Sequence, residues 1–133
     1  MADARPRIAF FALRELHVDV LLPVLRAVAA MDRFDVGVIA PRYVESGGGR
    51  VQEGISPATL ASLAAEGVAV WAHTRQDRYA CVVVADACYD RVDGWGPVVC
   101  IGHGTISKGL YFSDIPYTRR ENFARVLCVP GPA

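Results

Sequence analysis

Valine- and isoleucine-rich runs punctuate the chain at intervals, and helical patterns or polar loops separate them. "RIAFFAL" (7–13), "FDVGVIA" (34–40), "VAVWA" (68–72), "YACVVVAD" (79–86), "GPVVCIG" (96–102) and "ARVLCVP" (124–130) read as strands. Hardly any polar residue interrupts these runs, which is the pattern of strands buried on both faces, as in a parallel sheet covered by helices. Between the first two, "DVLLPVLRAVAAM" sets Leu21, Leu22, Leu25, Val28 and Ala29 at helical spacing, with Asp19 as cap and Pro23 close enough to that start to be tolerated. Between the second and third, "SPATLASLAAEG" opens with Ser56 as cap and Pro57 in the first helical position, and stops at Gly67. The order βαβαβ is half of a doubly wound fold.

The expected fold is therefore α/β, a three-layer, Rossmann-like, doubly wound parallel sheet formed by residues 1–133 as a single domain. Beyond the βαβαβ half the connections shorten, and no internal repeat is visible. "ESGGGR" reads first as a flexible loop; three glycines that wrap a phosphate are the alternative. "LCVPGPA" stops where a strand would pass into its next loop, so a final helix or second domain is expected to be missing.

Composition narrows the function classes. Hydrophobic residues make up 53% and charged ones 21%, which suits a packed globule and not a disordered chain. Fourteen basic and fourteen acidic residues balance, so no global charge points to nucleic acid or an anionic membrane. The apolar run Ile8 to Leu13 is too short for a signal peptide or a membrane span, which leads to a cytoplasmic expectation. The four cysteines, Cys81, Cys88, Cys100 and Cys128, show no CxxC pair or zinc spacing; three lie inside apolar runs and read as buried free thiols.

In an open parallel sheet, ligands gather beyond the carboxyl ends of strands where the strand order reverses. For the order 3-2-1-4-5-6 the ends in question carry Arg14, Glu15 and His17, then Asp86, then Gly102, His103, Gly104 and Thr105. The turn "LRELHVDV" after the first strand has no glycine, which argues against a GxGxxG dinucleotide site. GxxxxGK[ST] and GxSxG are absent too, which removes the main support for ordinary NTPase and serine-hydrolase chemistry.

"GHGTISK" remains. Glycine on both sides of His103 leaves the imidazole open to a substrate, and its near-neutral pKa suits proton abstraction from a hydroxyl. Thr105 can donate a hydrogen bond and Lys108 can set a positive charge against a phosphate. A histidine bonded to its own loop is the bland alternative. Downstream, Arg119, Arg120 and Arg125 can grip phosphate groups of an acceptor or lipid head group, or line a solvated helix face. His17 is a second candidate polar contact, or a surface residue near a helix start. Asp86, Asp90 and Asp93 recur at helical spacing, but without partner histidines they argue poorly for a metal.

"GHGTISKGLYF" resembles the HGT-x-x-K segment of the CDP-glycerol glycerophosphotransferase family, which builds teichoic-acid and capsule polymers. "RRENFARVLCVPGP" resembles the same family's path into its next strand, so the likeness covers about residues 96–132. It implies the N-terminal, acceptor-side half of a GT-B architecture, with a nucleotide-activated donor held largely by a C-terminal domain. His103 then matches the base that activates the acceptor hydroxyl, and Lys108 matches the motif lysine. No cofactor or metal is implied. The implied partners are CDP-glycerol or a similar donor and a polyol-phosphate or lipid-linked acceptor, the latter drawing the protein to the inner face of the membrane. Ile106 and Ser107 depart from the proline-containing link common in the family. A non-catalytic Rossmann-like binding module and a sugar-nucleotide epimerase-like enzyme are the competing expectations.

Overall fold

The computed structural model describes residues 4–45, 52–86, 88–102 and 126–128. Five strands, β1 (Arg7–Phe11), β2 (Asp35–Ile39), β5 (Cys81–Val84), β6 (Val98–Cys100) and β7 (Val126–Leu127), form a sheet in the order β2-β1-β5-β6-β7. Every pairing in it is parallel. A second, two-stranded sheet joins β3 (Val44–Glu45) and β4 (Gln52–Glu53) in antiparallel register. Among the described residues two α-helices, α1 (Glu15–Ala30) and α2 (Pro57–Ala65), join these strands in a mixed α/β fold compatible with a Rossmann-like one.

The expected third strand, 68–72, is reduced to a single bridge between Val70 and Val38 on the outer edge of β2. Only two backbone bonds hold it there, Val38 N–H to the Ala69 carbonyl and Trp71 N–H to the Val38 carbonyl. It still occupies the third-strand position of the order 3-2-1-4-5-6. The remaining strands are shorter than their apolar runs because pairing stops before burial does: Ala12 and Ala85 are fully buried beyond the ends of β1 and β5.

Alternation along β1 divides the core. Phe10 and Ala12 face Val18, Leu21 and Leu25 of α1 and Leu63 of α2, whereas Ala9 and Phe11 face Tyr79, Tyr89 and Val92 from the loops. Each fully buried side chain of this size stabilises the fold by about 1.5–3 kcal/mol. Both described α-helices thus pack on one face. Among the described residues the other carries loops and one 3₁₀ turn, Tyr89–Arg91.

α1 starts at Glu15, four residues before the expected cap. Arg14 is its N-cap and makes no side-chain capping bond, while Asp19 lies exposed within the helix. Pro23 therefore falls inside α1, where it withholds the N–H that would bond the carbonyl of Asp19. Both residues are on the exposed side, so water can reach the freed carbonyl. α2 follows its pattern: the Ser56 hydroxyl accepts from Thr59 N–H, Pro57 leads the helix, and Gly67 at φ +79° ends it. Arg26 of α1 and Glu66 at the end of α2 are paired at 2.5 Å, which ties the helices together.

Among the described residues, no helix is long and apolar enough to cross a membrane. The cysteines differ from the sequence expectation. Cys88, outside the long apolar runs, is buried along with Cys100, whereas Cys81 is only partly covered and Cys128 is exposed.

Candidate functional site

The chain leaves β1 towards β2 on one side and returns to β5 on the other, so the order reverses between β1 and β5. The carboxyl ends there carry Leu13 and Arg14, Asp86, and Ile101 with Gly102. Gly102 adopts a left-handed φ of +70° just past the end of β6, and among the described residues nothing lies within 4 Å of the position of a side chain there. The next residue in sequence is His103. His103, Gly104, Thr105, Lys108, Arg119 and Arg120, and Arg125 with them, lie outside the described residues.

The turn after β1 is covered by the chain itself. Gly54 N–H donates to the Leu13 carbonyl at 2.7 Å, and Gly54 bridges Arg14. Gly54 adopts φ +80°, and a Cβ there would lie 2.5 Å from the Pro41 carbonyl oxygen, so only glycine fits. Glu15 is engaged as well: its Oε1 accepts from Ser56 N–H at 2.8 Å and from the Thr59 hydroxyl at 2.9 Å. Those bonds, Ser56 first and then Thr59, hold the Glu15 carboxyl below its usual pKa. The carboxylate thereby serves the Ser56 amide at the N-cap of α2 and the Thr59 hydroxyl in its first turn.

His17 is 2% exposed, buried in the first turn of α1 and not on the surface. Asp86 is partly buried, and its carbonyl accepts from Cys88 N–H at 2.8 Å. Asp90 and Asp93 are exposed, and among the described residues no three His, Cys, Asp or Glu side chains gather into a set that could hold a metal ion.

A different constellation appears on the loop-covered face. A cleft of about 280 Å³ opens at the carboxyl ends of β1 and β2, lined by Phe11, Ile39, Ala40, Pro41, His73, Arg91 and Trp95. His73 stacks on Trp95 with ring centroids 3.7 Å apart, and Phe11 meets Trp95 edge-on at 5.5 Å. His73 Nδ1 and the Tyr79 hydroxyl share a hydrogen bond of 3.1 Å. Burial is the main influence on the His73 imidazole and pushes its pKa down, with nearby Asp77 opposing and Arg78 and Arg7 adding to it. Tyr79 is pushed up, chiefly by burial, and so keeps its proton.

Two ion pairs frame this cluster. Arg91 makes a two-pronged contact with Glu53 of β4, Nη1 to Oε1 at 2.7 Å and Nη2 to Oε2 at 3.1 Å, and this holds the Glu53 carboxyl low. At the opposite end of β1, Arg7 lies over the rings of Trp71 and Tyr79 at 4.5 and 5.0 Å and pairs with Asp77 at 3.5 Å. Asp77 in turn accepts from Thr74 N–H at 2.7 Å, closing the loop that carries His73.

Sequence reasoning passed over this cleft, although one local signal was available. Trp95 stands between Gly94 and Gly96, the same glycine bracket that singled out His103. Both glycines have positive φ, and a Cβ on Gly96 would collide with the Tyr79 carbonyl. The bracket lets the chain seat an indole in the cleft wall. No family model matches the chain, and neither a curated protein nor a solved structure matches it.

Proposed function

We propose that the chain is the acceptor-side domain of a GT-B transferase. It would move a glycerophosphate, polyol-phosphate or sugar group from a nucleotide-activated donor to a hydroxyl acceptor in cell-envelope or capsule polymer synthesis. The observation that carries this reading is the left-handed Gly102 at the carboxyl end of β6, in a sheet whose order reverses next to it between β1 and β5. "GHGTISK" begins at that glycine.

In this reading His103 takes the proton from the acceptor hydroxyl as that oxygen attacks the donor's phosphorus or anomeric carbon, and the nucleotide departs with the bonding pair. Lys108 and Thr105 stabilise charge on the phosphate, and Arg119 and Arg120 hold an anionic acceptor. A donor-side domain completes the nucleotide site.

The test is CMP release from CDP-glycerol by the chain joined to a donor-side domain, with and without a glycerophosphate acceptor. Release is expected to depend on the acceptor, and His103→Ala is expected to lower it by about 10²-fold or more. Full activity of His103→Ala would overturn the role of His103. Inactivity of the wild-type assembly with this donor would overturn the donor assignment.

A further inference from the structure

The cleft beside Trp95 lies on the loop-covered face at the carboxyl ends of β1 and β2, and Gly102, on which the proposed transferase reading rests, is not among its lining residues. Its size, walls and polar groups restrict what it can hold. At about 280 Å³ it falls at the small end of ligand pockets, room for one ring and not for a nucleotide. Phe11, Ile39, Ala40, Pro41 and Trp95 supply apolar surface, and His73 and Arg91 are the polar side chains in the lining.

The charge of Arg91 is already met by both oxygens of Glu53, so an anion entering the cleft would have to approach a neutralised guanidinium with a carboxylate directly behind it. The guanidinium has five N–H donors; Glu53 engages one on each terminal nitrogen, so others remain for a neutral acceptor. Burial keeps His73 uncharged at neutral pH. When Nδ1 accepts from the Tyr79 hydroxyl, Nε2 carries the ring N–H; in the other tautomer Nε2 is an acceptor. Either way one ring nitrogen suits a hydroxyl group, which can both donate and accept.

We infer that this cleft binds a neutral, polyhydroxylated ring of monosaccharide size. Its C–H face lies against Ile39, Ala40 and Pro41, the stacked His73–Trp95 pair meets it at the ring edges, and its hydroxyls bond to His73 and Arg91. The inference stands whether or not His103 acts as a base.

The experiment is an NMR titration of the full 133-residue chain, following the Trp95 indole N–H and the His73 ring. Glucose, galactose, mannose and N-acetylglucosamine are the probes; inorganic phosphate and CMP are the controls. At least one sugar is expected to give saturable shifts of both residues, with a Kd on the order of millimolar. Ala40→Leu, which fills the cleft without removing any of its polar groups, is expected to weaken that binding about tenfold or more, and His73→Gln to weaken it less. A native-like spectrum of Ala40→Leu in the absence of sugar separates loss of the site from loss of the fold. The proposal is overturned if no sugar gives saturable shifts, if Ala40→Leu binds as the wild type does, or if phosphate or CMP takes the site in preference to every sugar.

Discussion

His73 lies nearly flat on Trp95, their planes 18° from parallel, while its Nδ1 reaches the Tyr79 hydroxyl. The three side chains come from two separate loops, and together they cover Phe11 at the end of β1. The imidazole is therefore part of the packing of this face as well as of the cleft wall, and its protonation acts on both.

A histidine whose pKa is lowered on folding binds its proton more readily in the unfolded chain. The stability tied to a neutral His73 is thus fully present above the usual value of 6.5 and is lost as the pH falls below it towards the folded-state value. Urea midpoints are expected to fall between about pH 7.5 and pH 5, and His73→Gln is expected to flatten that slope. An unchanged slope in the variant would place the titration on other groups.

Gly37 in β2 faces the Trp71 indole so closely that a Cβ would lie 2.3 Å from its Cδ2. Gly37→Ala is expected to destabilise the fold by about 1–3 kcal/mol, because a rigid ring held under Arg7 cannot yield as a flexible side chain would. Chemical denaturation measures the loss, and Trp71→Leu in the same chain is expected to restore part of it.

Pro23 interrupts the hydrogen bonding of α1 on its exposed side. Pro23→Ala restores the bond to the Asp19 carbonyl without disturbing a core contact, and is expected to stabilise the protein by up to about 3 kcal/mol. The measurement is the shift in urea midpoint at unchanged m-value.

Cys88 and Cys128 differ in reactivity. Burial, with smaller contributions from Asp86 and Cys100, leaves the Cys88 thiol pushed up to about 12, whereas Cys128 is exposed. A thiol reagent at neutral pH is expected to modify Cys128 rapidly and Cys88 only on unfolding. Mass spectrometry of peptides from briefly treated protein distinguishes the two.

Much of the sheet was legible in the sequence because strands sandwiched on both faces need uninterrupted apolar residues, as in Val82, Val83 and Val84 of β5. The segment 68–72 carries the same kind of residues, yet Val70 is 42% exposed on the outer edge of β2, where a single bridge is all that forms. The start of α1 was hidden for a different reason. Arg14 offers no side-chain cap, and the carboxylate that resembled one, Asp19, is simply on the wet side of the helix. α2, whose cap is local, could be read to the residue.

The rim residue Gly102 followed from the position of its strand. The His73 cleft did not, because Phe11, His73 and the segment that carries Arg91 and Trp95 are far apart in sequence and meet only through strand order. No short window of sequence holds that geometry.

The placement of β1 also bears on how the protein is made. Its partner on one side, β2, leaves the ribosome soon after it, but the other side waits for β5, so Ile8 cannot pair with Cys81 until the whole segment between them has been synthesised. Until then β1 presents a bare row of amides and carbonyls beside the apolar side chains of Phe10 and Phe11. A nascent chain stalled before Cys81 has an open, sticky edge, and the last valines to emerge in β5 are the ones that seal it.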